Sequence, residues 1–284
     1  MTALLLLDLP PLAGVDEAPH AHAGALRGRH LQRHGLRVLR GERVGRTEDK
    51  VGRRGLSGQA LAFWADHLEV QRPASLVSGV TADADFIGDA VLATTLGKRM
   101  GWDTWIPSLD DSTPQTGKVT HRTKSGNVKQ VDFLSGVVGL TTKDLARRAV
   151  EMDIPGIGHL RVIHPLDVLD SRIQNLHLLP EKRNDAGIAQ ARLAVSMVRV
   201  FIAREVAARG ERMGLKLLER IAEMAVDMAA VRVFLLYGID PLESVPLENF
   251  RTTSALHKVR WPQIVAEVVR KRESMRKLTS QVSR

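Results

Sequence analysis

The sequence predicts an α+β fold: a small mixed β-sheet core flanked by helices, followed by a helical C-terminal domain. Three observations carry this. Two short segments, 81–87 and 128–134, are rich in strand-forming residues and place aspartate among apolar side chains. From His164 onward the apolar residues recur at helical spacing. Composition is that of a folded globular chain, 44% hydrophobic and 26% charged over 284 residues, enough to bury a sizeable core.

The divisions follow from these patterns. Residues 1–55 read as a basic arm rich in Gly, Arg and His, poorly ordered or irregular, in which only 36–39 hints at a strand. Its histidines (His20, His22, His30, His34) suggest a metal tract, but no acid or helical spacing organises them, and biased composition explains them as well. Residues 56–163 read as the α/β core and 164–284 as the helical domain.

Order begins at 56–68, where Ala60, Leu61, Phe63, Trp64 and Leu68 mark one helical face and Ser57 sits where an N-cap belongs. A strand is expected through 81–87, and Asp89 is placed to cap a helix running to about Met100. Residues 102–117, heavy in Pro, Asp, Ser and Thr, read as a loop. Residues 118–122 and 127–134 flank a Lys-Ser-Gly-Asn turn and so form a hairpin. A helix follows from Thr141, a strand over 159–163, and a helix opened by Pro165. Ala189, Leu193, Met197 and Phe201 keep helical spacing, as do Met213, Leu217, Ile221, Met224 and Met228. The last helix starts at Pro262 and aligns Ile264, Val265, Val268, Val269, Met275 and Leu278.

Charge is unevenly spread. The net +9 resides at the ends: residues 1–55 hold 10 Lys/Arg against 6 Asp/Glu, and 255–284 hold 8 against 2. A polyanion such as RNA is the partner this pattern suggests, with solubilising charge on solvated tails the plain alternative. Cysteine is absent, which excludes disulfides, thiolate metal sites and cysteine nucleophiles. The opening residues 1–8 lack a positive start, and their apolar run is too short for a signal peptide; no run approaches membrane-spanning length. The expectation is therefore a cytoplasmic protein without a membrane partner.

The chemistry concentrates on three acids. Asp83 and Asp85, two apart on a strand, point the same way, and a segment carrying Asp132 paired beside them brings three carboxylates to one patch. Such a group holds a divalent cation more readily than it tolerates its own repulsion. A small-residue turn at a helix start, here Ser57-Gly58, leaves backbone N–H groups free for a phosphate; a plain helix cap is the competing reading. His159 and His164 lie five apart with no third ligand.

Four segments in this order, Ser57-Gly-Gln-Ala-Leu61, Thr81-x-Asp-x-Asp-Phe86, Val131-Asp-Phe-Leu134 and His164-Pro-Leu-Asp-Val-Leu-Asp-Ser-Arg172, resemble the DNA polymerase beta-type nucleotidyltransferases. The nearest branch is the AbiEii-like proteins of toxin–antitoxin and phage-defence loci, and the likeness covers roughly residues 56–205. It implies a nucleotidyltransferase core in which Asp83, Asp85 and Asp132 bind two Mg2+ (or Mn2+) ions and carry catalysis. Ser57 and Gly58 become the phosphate turn, and Arg172, Lys182 and Arg183 contact the triphosphate of a bound NTP. For Arg172 a helix-surface salt bridge with Asp167 or Asp170 is the competing reading.

The implied activity moves a nucleoside monophosphate from NTP to a hydroxyl of RNA, tRNA included, or of protein, with an antitoxin as a further partner. Two departures weigh against full activity. Ser57-Gly58 replaces Gly-Gly or Gly-Ser, and residues 51–56 do not form the apolar strand that runs into the phosphate turn in the family. A relative without catalysis, binding nucleic acid or protein, is the alternative.

Overall fold

The structure, a computed structural model, describes residues 5–6, 58–77, 83–111, 113–154 and 158–282. The remainder of the 1–55 arm, with its four histidines and the 36–39 segment, lies outside the described residues, as do Ser57 and Thr81.

The fold is mixed α+β, with one seven-stranded mixed sheet and a helical C-terminal region. The strands are β1 (Leu5–Leu6), β2 (Asp83–Ile87), β3 (Asp103–Trp105), β4 (Gln115–Arg122), β5 (Val128–Leu134), β6 (Val150–Ile154) and β7 (Gly158–Val162). Their order across the sheet is β3-β4-β5-β2-β1-β7-β6. β2 runs parallel to both β5 and β1, and the remaining pairings are antiparallel.

The hairpin forms as its turn residues dictate, with Gly126 at φ 83 in the left-handed region that glycine adopts without strain. The loop expected over 102–117 instead contains the edge strand β3. All three of its residues are exposed, so no alternation of apolar and polar residues marked it. The strand between β2 and β7 comes from the leucine run near the N-terminus: Leu5 pairs with Phe86 on one side and Val162 on the other. Sequence alone places that run in the irregular 1–55 arm and excludes it as a signal peptide; at Leu5–Leu6 the structure corrects the first of these.

Helix α1 (Gly58–His67) packs through Ala60, Leu61 and Trp64, and the Trp64 Nε1–H donates to the Ile163 carbonyl at 2.8 Å. A short helix α2 (Ala74–Val77) follows. Asp89 caps α3 (Ala90–Met100), accepting from the Leu92 N–H at 2.8 Å, and Thr141 caps α4 (Thr142–Arg148). α5 (Pro165–Leu178) has proline at its first position and accepts a capping bond from Leu166 N–H on His164 Nδ1 at 3.1 Å.

The C-terminal region continues with α6 (Asp185–Arg209), α7 (Glu211–Val226), α8 (Met228–Tyr237) and α9 (Trp261–Val282). The spacing from Met213 to Met228 predicted one helix, but Asp227 divides it. Its carboxylate accepts from Ala229 N–H at 2.8 Å and starts α8 afresh, leaving Met228 exposed. On α9 the buried stripe is Ile264, Val268 and Arg272. Val269 and Leu278, expected on it, are exposed. The displaced position goes to Arg272, whose guanidinium stacks 3.5 Å from the Phe234 ring centroid and pairs with Asp240 at 2.7 Å.

Two apolar clusters occupy the two faces of the sheet. Phe86, Val119 and Phe133 meet α3 at Ala93. On the other face Ile87, Leu134, Leu160 and Val162 join α1 and helices α5 to α9 in one contiguous core. Among the described helices α6 is long and apolar enough, by length and composition, to cross a membrane, which the sequence reading had not anticipated. It is nonetheless a core helix: it packs against α1, α5 and α7, and Arg192 and Arg199 within it bond carbonyls of the neighbouring segment 237–245.

Candidate active site

The site grows out of the β2–β5 pairing. The two strands run parallel and in register, so Asp85 stands directly beside Asp132 and Asp83 is placed level with Gln130. Alternation along each strand puts Asp85 on the face of Ile87 and Asp132 on the face of Leu134, which themselves are register partners. That face descends into the main core at Ile87 and Leu134. Two residues earlier it carries carboxylates, both largely withdrawn from solvent at 2% and 7% exposure.

Charges one strand spacing apart, about 5 Å, repel by about 1 to 3 kcal/mol at effective dielectrics of 80 to 20. The neighbours moderate this on the Asp132 side. Gln130, two residues back on the same face, donates its amide to Asp132 Oδ2 at 2.8 Å. Lys118, the register partner of Asp132 on β4, holds its ammonium 4.0 Å from Asp132 Oδ1. Beyond it, Trp105 on β3 is the register partner of Lys118, with the ammonium 5.8 Å from its ring centroid. One row across four strands therefore reads Trp105, Lys118, Asp132, Asp85.

Of the acids named from sequence, Asp85 and Asp132 are brought together; Asp83 keeps the strand position expected, but its side chain lies outside the described residues. Gly58 opens α1, and Ser57 before it is not among the described residues. Among those that are, no group of three or more His, Asp or Glu side chains forms a metal cluster. The donor chemistry at Asp85 and Asp132 still suits a hard divalent cation: adjacent carboxylate oxygens are what Mg2+ and Mn2+ take.

The basic residues sit at the α5–α6 junction. Arg172 is not on a helix surface: it is buried on α5, bonds Gln190 Oε1 at 2.7 Å, and burial pulls its guanidinium down to about 10. Nor does it stand in the ion pair with Asp167 expected of a surface arginine, since Arg148 and Arg220 bracket that carboxylate at 3.0 and 2.8 Å. Lys182 lies close enough that the Arg172 charge adds to burial in lowering its ammonium, against Glu181. Arg183 clamps the end of α5, donating to the carbonyls of Leu176 at 3.0 Å and His177 at 2.6 Å.

His164 is a helix cap whose burial, reinforced by Arg220 and Arg148, pushes its imidazole down to about 3. The side chain of His159 lies outside the described residues.

Sequence reasoning missed Lys118, Gln130 and Trp105 as parts of the site. For the first two the signal existed. Gln130 is two residues from Asp132 on the same strand. The turn aligns Arg122 with Val128, so Lys118, four residues further, opposes Asp132. Trp105 had none, because its strand went unrecognised. Compared with protein-family models, with curated proteins and with solved structures, the chain matches none.

Proposed function

We propose that this protein is a metal-dependent nucleotidyltransferase of the DNA polymerase beta type, in the AbiEii-like branch. It moves a nucleoside monophosphate from NTP to a hydroxyl, that of RNA in the first place, with tRNA or a protein as the more specific acceptors. The observation that carries the reading is the register of Asp85 with Asp132 on adjacent parallel strands, two residues before the face enters the core.

In the reaction the acceptor oxygen forms a bond to the α-phosphorus. The bond from that phosphorus to the oxygen bridging to the β-phosphate breaks, and pyrophosphate leaves with the electron pair. Asp83, Asp85 and Asp132 would hold divalent cations, which when bound would neutralise the phosphate charge. Asp132 takes up the acceptor proton, and Gln130 fixes the orientation of its carboxylate. Gly58, which opens α1, and Ser57 before it in sequence contact phosphate through backbone N–H groups. Arg172 and Lys182 add positive charge toward the triphosphate, and Arg183 positions that junction through its hold on α5.

Labelled NTPs with magnesium and mixed RNA test this, comparing wild type with Asp85→Asn and Asp132→Asn. Transfer is expected from the wild type alone; equal transfer by all three removes the site.

One observation favours a second reading, a binding module of the same fold without turnover. Lys118 places an ammonium 4.0 Å from Asp132, positive charge where a metal would otherwise be needed. In that case NTP and magnesium leave the heat-denaturation midpoint unmoved, and RNA binds with affinity that falls steeply with salt.

A further inference from the structure

We propose that Trp105 is a stacking platform for an unpaired base of a single-stranded RNA acceptor, a role that rests on the nucleotidyltransferase reading for what the RNA is there to do. Exposure alone assigns an aromatic no role; the position of Trp105 beside the candidate site does. Trp105 is 44% exposed, whereas Trp64 is 2% exposed within the core. It lies on the edge strand β3, and its register places it on the same face and in the same row as Lys118, Asp132 and Asp85. With strands about 5 Å apart, Trp105 stands on the order of 10 Å from Asp132 along that row. A strand end can touch both.

One cation, Lys118, stands between them, and the exposed Asp103 shares the face two residues from the ring. Lys118 leans toward the ring from one side and toward Asp132 from the other. Lys118, Thr120 and Arg122 alternate onto this face along β4, and Arg122 is exposed. An open aromatic ring with a cation beside it is an arrangement that binds single-stranded nucleic acid: the ring takes the face of any base, and Lys118, with Arg122 further along β4, meets the phosphates. A duplex cannot use it, because its bases already stack on each other.

The test is the anisotropy of a labelled single-stranded oligoribonucleotide titrated with the full chain at fixed salt, for wild type, Trp105→Ala and Trp105→Phe. Stacking on one aromatic corresponds to about tenfold in Kd. Trp105→Ala should therefore weaken binding about tenfold while the dependence on salt stays the same, since no charge is removed. Trp105→Phe should restore most of the loss, and a duplex of the same sequence should not distinguish the three proteins. A thermal melt of each variant separates loss of the platform from loss of the fold.

An unchanged Kd in Trp105→Ala, or no binding of the oligoribonucleotide by wild type, overturns the inference. Transfer to a protein hydroxyl that is indifferent to Trp105 overturns it as well. Turnover is scored separately with labelled NTP. RNA binding that depends on Trp105 without any transfer sinks the enzymatic reading and leaves the platform standing. Transfer to RNA with the same KM in wild type and Trp105→Ala does the reverse.

Discussion

Two groups of buried aspartates sit in this fold, and they are built on opposite plans. At the start of α5, Asp167 is 1% exposed and bracketed by two guanidiniums, Arg148 at 3.0 Å and Arg220 at 2.8 Å, drawn from α4 and α7. On the sheet, Asp85 and Asp132 are set beside each other by strand register, with the Lys118 ammonium 4.0 Å from Asp132. The first plan matches a carboxylate with cations of the chain itself and ties three helices together. The second places like charge beside like charge. The comparison teaches that one fold buries carboxylates in two ways, matched by guanidiniums across helices or set side by side by strand register, and the second arrangement is the one on which the proposed function rests.

The largest expected effect lies on the structural side. Asp167→Ala leaves two guanidiniums facing each other at the junction of α4, α5 and α7. Breaking a buried pair in this way costs about 3 kcal/mol or more. Denaturant unfolding measures it, and a loss under 1 kcal/mol would mean that the cluster is solvated rather than structural.

The next effect is one of pH, and it comes from the residue that caps the same helix. His164 titrates ordinarily near 6.5, but burial holds it at about 3 in the folded protein, so the unfolded chain takes up its proton first on acidification. Stability from this residue is present above 6.5 and is lost as pH falls toward 3. Between pH 7 and 4.5 the loss is about 2 to 3 kcal/mol. His164→Asn keeps a capping oxygen and removes the titration. Unfolding free energies measured at the two pH values should differ less in the variant than in wild type.

Asp170 runs the other way. Burial, reinforced by the nearby Asp167 and Asp227 charges and opposed by Gln174 and Arg220, raises it from 3.8 to about 6. Its protonated form is favoured by folding, so its contribution is present below about 4 and lost as pH rises through 6. Asp170→Asn should gain about 3 kcal/mol over wild type at pH 7 and under about 1 kcal/mol at pH 4. A gain independent of pH would assign the effect to packing instead.

The two plans were unequally legible. The pairing of the Asp85 and Asp132 strands could be argued because each is short, β-rich and acid-bearing, and the turn at 124–127 fixes β4 against β5. Asp89 and Thr141 announced their helices by type and place. The structural cluster was not legible. Arg148, Asp167 and Arg220 come from three helices whose mutual packing no local pattern encodes, so sequence offers Asp167 or Asp170 to Arg172 only as a competing reading and gives no sign of the true partners. Helix α9 failed for a related reason: a buried arginine satisfied by Asp240 and Phe234 looks, in a one-dimensional pattern, like an exposed one. The Leu5–Leu6 strand escaped because a few leucines near the start of a chain carry no period that separates strand from leader.

The smallest expected change in stability falls on the acids of the sheet, and it separates the two plans most sharply. Asp132→Asn keeps an oxygen for the Gln130 amide and removes one of two adjacent negative charges, relieving a repulsion of about 1 to 3 kcal/mol while forfeiting the weak attraction of Lys118. The balance should lie within about 1 kcal/mol of wild type, and toward stabilisation, when the protein is stripped with a chelator. Added magnesium should then raise the melting temperature of wild type and leave that of Asp132→Asn and Asp85→Asn unmoved, because only an ion bound to the folded state shifts the equilibrium. Should Asp132→Asn unfold as readily as Asp167→Ala in the chelated state, the sheet pair is structural after all, and the distinction between the two plans is lost.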